Sequence, residues 1–397
     1  MSKTIKDTNI KVKDILALIP NDKLGKIAKD TNVNYYTKIL DGRSLLYLIL
    51  YSLIEQKRNS LRTMEDIFNS YQFKFLFNLD TSKTIKYNSI SERLSIIDIN
   101  FFEQSYQLFY DIFSKLYTSK EQEKHKLIRV DSSMVAEAAN KIEEGMKVGK
   151  KGKQKSRPKQ IKYTIAFDGT LPCIPDLYTK QEALSEDKTI APVVFKNSLK
   201  QQNAIFIFDK GVQKRSSFTK MENTKISFVT KLKLDSRYKV IEEFEYCKNE
   251  SENYIKIISD QKVNIGKPNS SKYLEEKFRI IVTYNERTDK KDLILTNIFN
   301  KTPQEIIIIY KKRWDIEVFF RFLKQELNFN HFTSTSINGI KVMMYVTLIA
   351  AMLVMIYKKW NKLGYKTAVR RIALELNDLI TAMIVVHCGG DPSLVFR

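Results

Sequence analysis

Four side chains between residues 310 and 324 have types and spacing suited to phosphate chemistry: Tyr310, Arg313, Glu317 and Lys324. A lone carboxylate among cations can hold a divalent metal ion. A tyrosine, an arginine and a lysine one to two turns away can grip a polyanion. The plainer alternative is an i,i+4 Arg–Glu ladder on a surface helix, worth about a few tenths of a kcal/mol.

The stretch that carries them, EIIIIYKKRWDIEVFFRFLKQELN (305–328), predicts one continuous helix, because no Gly or Pro follows Pro303 and apolar residues recur at offsets of three and four. With Tyr310 at zero on a helical wheel, Arg313 falls near about 300°, Glu317 near about 340° and Lys324 near about 320°. The apolar Ile316, Val318, Phe319, Phe322, Leu323 and Leu327 take the other side. Lys311, Lys312 and Asp315 fall toward that apolar side and spoil the pattern at the helix start. The full Tyr-x2-Arg-x3-Glu-x6-Lys spacing resembles, without a gap, the signature of DDE transposases of the insertion-sequence-4 group of bacterial mobile elements. Such a resemblance requires two aspartates on strands elsewhere in the chain.

Two segments offer them. KLIRVDSSMV (126–135) reads as a short strand ending on Asp131, and NAIFIFDKG (203–211) as a buried strand running into Asp209. Either acid alone is equally a turn-starting or helix-capping Asp. Asp209-Lys210-Gly211 resembles the Asp-basic-Gly context of the family's second aspartate. Asp168 is accounted for by an Asp-Gly hairpin turn within residues 161–179 and is set aside. Between Lys147 and Lys162 lie eight cations and no acid, among them Lys151, Lys153, Lys155 and Arg157. This segment is either a DNA-contacting loop or simply a solvated one. Asp209 and Glu317 are 108 residues apart, separated by short β-type runs between about Phe218 and Thr296.

The N-terminal third reads as helices: 43–57, then 60–70 with Ser60 as a cap, then a segment opened by a Ser89-x-x-Glu92 capping box and divided near Asn100. From these residues alone, a helix-turn-helix-like DNA reader and a plain helical bundle are equally supported. The chain of 397 residues carries 67 Lys+Arg against 45 Asp+Glu, a net +22, which suits a nucleic-acid partner without naming an activity. Cys173, Cys247 and Cys388 form no CxxC pair, so neither a disulfide framework nor a structural zinc site is indicated. There is no P-loop, no GxSxG and no paired histidine motif; His125, His331 and His387 stand apart. The apolar run Val342–Tyr357 is short for a membrane span and reads as a buried helix, so a soluble, cytoplasmic, nucleoid-associated protein with no membrane partner is expected. The stretch ending HCGGDPSLVFR reads as a tail.

The resemblance implies a mixed α/β fold: a ribonuclease-H-like core interrupted by a β-rich insertion and preceded by an all-helical DNA-binding domain. The expected division is 1–124, 125–215, 216–299, 300–375 and a tail at 376–397. Asp131, Asp209 and Glu317 would hold Mg2+, with Mn2+ able to substitute. Tyr310, Arg313 and Lys324, with Lys210 and the basic segment, would contact double-stranded DNA at the element's ends and the target. A homodimer would join two ends. The rival readings are a catalytically silent domesticated DNA-binding protein and a ribonuclease-H-fold nuclease that cuts without joining.

Overall fold

The computed structural model of the chain describes residues 9–55, 59–117, 126–137, 142–147, 159–246, 254–270 and 273–394. Helices come first: α1 (Val12–Leu16), α2 (Asn21–Asp30), α3 (Gly42–Glu55), α4 (Leu61–Asn69), α5 (Tyr71–Leu76), α6 (Tyr87–Ile96) and α7 (Ile99–Ser114). The α3 sequence is apolar nearly all round, and it is buried accordingly. Ser60 caps α4 as expected, its hydroxyl accepting from Thr63 N–H. The Ser89 capping box does not form. α6 starts earlier, at Tyr87, whose N–H donates to the Glu65 carboxylate at 2.8 Å. The division expected at Asn100 falls at Ile97–Asp98, where the Asp98 carboxylate accepts from Asn100 N–H.

The sheet begins with β1 (Leu127–Glu137), β2 (Met146–Lys147), β3 (Lys159–Phe167) and β4 (Asp176–Tyr178). There follow α8 (Ile190–Ser198), β5 (Ile205–Phe208), α9 (Arg215–Asn223) and β6 (Ser227–Leu232). Then come β7 (Tyr238–Glu243), β8 (Ile255–Ile265), β9 (Phe278–Asn285) and β10 (Lys290–Thr296). α10 (Pro303–Lys311), α11 (Trp314–Glu326), α12 (Ile337–Trp360) and α13 (Tyr365–His387) complete the chain. The described strands form one sheet in the order β2-β3-β1-β5-β6-β10-β9-β8-β7, with β4 alongside β3. β1, β5 and β6 are parallel; β3 on one flank and β10 to β7 on the other are antiparallel. The β-rich stretch after Asp209 therefore extends the sheet of the acids through the β5–β6 pair.

Period-two alternation sorts the side chains. Ile128 and Val130 of β1 and Phe206 and Phe208 of β5 point into a core with α8 and α9. Leu127 and the β5 residues Ile205 and Ile207 pack under α10. Ile161, Tyr163, Ile165 and Phe167 of β3 join α11, α12, α13 and the N-terminal helices in the largest core. At its centre lies α12, against α3, α6, α7 and α13. With 24 residues, α12 is longer than its apolar run and is long and apolar enough to cross a membrane, yet 83% of its most apolar window is buried inside the protein. The stretch from 376, read as a tail, continues α13 to His387 with Leu376 and Ile380 buried.

Candidate active site

Asp131 was expected at the end of a strand, but it lies in the middle of β1. What ends there is the parallel pairing. The last β1–β5 partners are Val130 and Phe208, and the next residues in each strand are Asp131 and Asp209. Neighbouring strands lie about 4.8 Å apart, so the two carboxylates sit side by side at the carboxyl end of a parallel pair, a usual ligand position in open α/β sheets. Beyond it β1 continues against β3 alone, with Asp131 opposite Ile165. Asp209 starts the loop after β5, and its carbonyl accepts from Thr230 Oγ1 at 3.2 Å.

The helix expected over 305–328 is two helices, α10 and α11. Around the joint the N–H groups of Lys312, Arg313, Asp315 and Ile316 donate to carbonyls three residues back, at 3.0–3.3 Å. This is 3₁₀-type winding, in which residues three apart eclipse. Arg313 therefore lies directly over Tyr310. The reason is on β1: the sealed Arg129 donates from Nε to Lys312 O at 3.1 Å and from Nη2 to Asp315 Oδ2 at 2.9 Å. Asp315, a misfit on a continuous wheel, faces this guanidinium, while Lys312 offers it only a carbonyl and is itself exposed.

The joint presents Arg313 to the acids. Its Nη2 donates to Glu317 Oε1 at 2.5 Å and its Nη1 stands 4.0 Å from Asp131 Oδ2. Burial pushes the Asp131 carboxyl up to about 6. Ser132 N–H and Arg313 hold it down, while Asp209 and Glu186 push it further up. Burial works against the Arg313 charge, but Tyr310, Glu317 and Asp209 outweigh it and its pKa is raised. Lys324 is lowered by burial and pulled back by Asp131. The Tyr310 phenol is pushed well above its ordinary value, chiefly by burial, and Lys231 stands 4.8 Å from its ring centre.

Asp131, Asp209, Glu317, Tyr310, Arg313 and Lys324 thus converge on one place. Lys210 is exposed on the adjoining loop, its carbonyl bonded to the Gln213 amide. Lys151, Lys153, Lys155 and Arg157 lie outside the described residues, as do His125 and Cys247. Of the flanking cations, Lys162 is buried and paired with Glu186 at 3.0 Å, and Lys159 donates to the carbonyls of Ile142 and Glu143. Asp168 does serve its turn: one oxygen accepts from Thr170 and Leu171, the other from Tyr110.

Sequence reasoning missed two contributors. Arg129 was visible as a charge inside the apolar run LIRVD. Glu186 reaches the acids from a short 3₁₀ turn before α8, through Thr189 Oγ1 and Ser132 Oγ. Gly211 permits this approach, because a Cβ there would come within 2.5 Å of Glu186 Cγ. No regular periodicity announces that contact.

Carboxylate oxygens at the end of a parallel pair, facing a third on a helix, are the hard donors that Mg2+ or Mn2+ takes. In this arrangement the positive charge among them is the Arg313 guanidinium. Among the described residues, no three acidic, His or Cys side chains are drawn close enough to hold one ion together. The oxygens are of the type a divalent cation takes, and Glu317 is the one engaged instead by Arg313.

Comparison with known proteins gives a consistent result. Residues 122–353 match the profile of the transposase DDE domain, over half the chain and spanning all three acids. The Sinorhizobium fredii protein y4zB, named a transposase by inference, is 27% identical over 233 residues, covering 57% of this chain and 63% of that one. The probable transposase for insertion sequence element IS5377 of Geobacillus stearothermophilus is 30% identical over 80 residues, 20% of each chain. The chain thus spans less than two thirds of the length of either relative. A solved piggyBac transposase synaptic complex with hairpin DNA aligns at a TM-score of 0.49 and 11% identity, covering 96% of this chain and 82% of that one. The profile match over more than half its length places this chain in the transposase DDE domain family.

Proposed function

We propose that the protein is a DNA transposase of the insertion-sequence-4 group. In this reading it binds the terminal inverted repeats of its element, cleaves at their ends and transfers the 3′ ends into target DNA. The observation that carries it is the convergence of Asp131, Asp209 and Glu317 with Tyr310, Arg313 and Lys324, drawn from three separate parts of the chain: β1, the end of β5, and the α10–α11 stretch. Charge supports it as well: a net +22 suits a phosphate backbone, and nothing in DNA binding alone favours carboxylates grouped among cations.

We read β3, β1 and β5 with α10 to α12 as a ribonuclease-H-like core. Residues 216–299 are the insertion between second and third acids, and residues 1–124 the helical DNA-binding region. In this assignment the core residues are 125–215 and 300–375, with 376–397 following. Asp131, Asp209 and Glu317 are the residues that would hold Mg2+ or Mn2+. When bound, two such ions would activate a water or a 3′-hydroxyl and stabilise the leaving oxygen. The protein's own part is positional. The parallel pair β1–β5 fixes two carboxylates against a rigid sheet, and α11 brings the third. Arg313, Tyr310 and Lys324 offer donors to the phosphates of the element's end, and Arg313 must give up Glu317 to do so. Lys210 and the basic stretch with Lys151, Lys153, Lys155 and Arg157 extend the contact to flanking and target DNA. Two ends must be brought together, so the working form is a homodimer.

The test is Mg2+- or Mn2+-dependent nicking of double-stranded DNA carrying the ends that flank this gene, comparing wild type with Glu317→Gln. Cleavage at the element boundary by wild type alone is expected. Binding without cleavage in either metal would replace this reading with a silent DNA-binding protein. Cleavage without joining to target DNA would leave a nuclease.

A further inference from the structure

Arg129 is one of the largest side chains sealed completely inside the protein. A guanidinium keeps its charge at any working pH, and a buried charge is tolerated only where it is paired and hydrogen-bonded. Besides Lys312 O and Asp315, it donates from Nη1 to Leu127 O on its own strand at 2.6 Å. Two of these three partners belong to the joint between α10 and α11. Gly169, at φ +93°, leaves the guanidinium its room: a Cβ there would come within 2.8 Å of Nη1.

The placement relates directly to the acids. Arg129 is two residues before Asp131 on the same face of β1, and Asp315 is two residues before Glu317 on α11. The Lys312 carbonyl accepts from both Asp315 N–H and Arg129 Nε, so the buried side chain is a bonded member of the tightly wound turn. That turn sets the rotation at which α11 begins. A change of one residue's worth of winding would swing Glu317 by about 100° around the helix axis.

We propose that Arg129, through Asp315 and the Lys312 carbonyl, is a positioning residue for the reaction: it fixes the rotation of α11 and so holds Glu317 within reach of Asp131. This inference rests on the assignment of Asp131 and Glu317 as metal ligands. Arg129 touches no DNA and no reacting atom. Lysine, with no planar fork, cannot reproduce its contacts.

The experiment uses the full chain with Arg129→Lys, Asp315→Asn and the double substitution. Three quantities are read: thermal unfolding, Mn2+ uptake from the loss of the free-ion EPR signal, and nicking of end DNA as a function of Mn2+ concentration. Folded variants that bind end DNA like wild type are expected to take up Mn2+ about 10- to 100-fold more weakly, as partners that orient ligands commonly do. They should need correspondingly more Mn2+ for half-maximal nicking. The double variant should be no worse than the worse single one, because both remove the same tie. Wild-type Mn2+ dependence in folded Asp315→Asn and Arg129→Lys would overturn the proposal, as would a decline that merely follows the folded fraction. Should Arg129→Lys not fold, Asp315→Asn decides alone, since its side chain is 43% exposed. If wild type takes up Mn2+ but nicks nothing, weakened uptake by Asp315→Asn upholds the positioning role while the transposase reading fails. Wild type that takes up no Mn2+ overturns the ligand assignment and the positioning role together.

Discussion

Asp131→Asn should make the metal-free protein more stable while abolishing cleavage. Burial raises the Asp131 carboxyl from an ordinary 3.8 to about 6 in the folded chain. At neutral pH the group is charged whether folded or unfolded, so the folded state bears the full penalty. A shift of about 2 units at about 1.4 kcal/mol each gives a ceiling near 3 kcal/mol. Because the side chain is 22% exposed, about 1–3 kcal/mol is expected. The sign follows from the raised pKa. The folded protein takes up a proton that the unfolded chain does not, so the penalty is relieved as pH falls from about 6 toward 4 and returns as pH rises. Asparagine keeps an oxygen for Ser132 N–H, 2.8 Å away in the wild type, and never bears the charge. Unfolding of both proteins, followed calorimetrically without metal at pH 7.5 and pH 4.5, should show an Asn advantage of a few degrees at the higher pH that shrinks at the lower. Adding Mn2+ at pH 7.5 should raise the wild-type midpoint and move that of the variant far less. An Asn protein no more stable at pH 7.5, or equally advantaged at both pH values, would refute the reasoning.

Other outcomes follow from neighbouring features. Asp260 and Arg279 form a buried, two-pronged pair at 2.8 and 2.6 Å, and Arg279 also donates to the carbonyls of Ile298 and Lys301 before α10. Asp260→Ala should cost about 3–5 kcal/mol in urea unfolding by leaving the guanidinium buried and unpaired. Gly211→Ala should cost about 1–3 kcal/mol by overpacking against Glu186, and should weaken Mn2+ uptake by displacing the loop that follows Asp209. Lys324→Met should weaken binding of end DNA uniformly across sequences. It should also lower the slope of log affinity against log salt by about 1, measured by fluorescence anisotropy.

Much of the site could be read from residue order because each acid sits on a simple pattern: apolar residues running into Asp131 and Asp209, and a heptad-like stripe around Glu317. The joint at 312–313 could not. No Gly or Pro marks it, since what holds it is a side chain 183 residues earlier in the chain, and local propensity carries no record of Arg129. The same limit explains the displaced cap at α6, where the Glu65 carboxylate from α4 captures Tyr87 N–H and makes Ser89 redundant. Strand β1 ran past Asp131 because β3 still pairs with it after β5 has ended, a fact of partner length that one strand's sequence does not hold. Residues from 376 onward looked featureless because they carry no motif and end in HCGGDPSLVFR, although 376–386 is rich in apolar residues. Leu376 and Ile380 continue the buried face that Ala368, Val369 and Ile372 begin, and so seat the second half of α13 on the helical core.

The placement of α12 bears on how such chains can be taken apart and recombined. The segment that marks the family, 122–353, begins after α7 and stops inside α12. A polypeptide cut to those limits would lose α3, α6, α7 and α13 together, and would open the most apolar helix in the protein to water. The segment that marks the family is therefore smaller than the packed core to which α12 belongs. An N-terminal region could be exchanged between relatives only along with an α12 surface shaped to receive it. Changes in the helical third are in this way tied to the packing of a helix toward the opposite end of the chain.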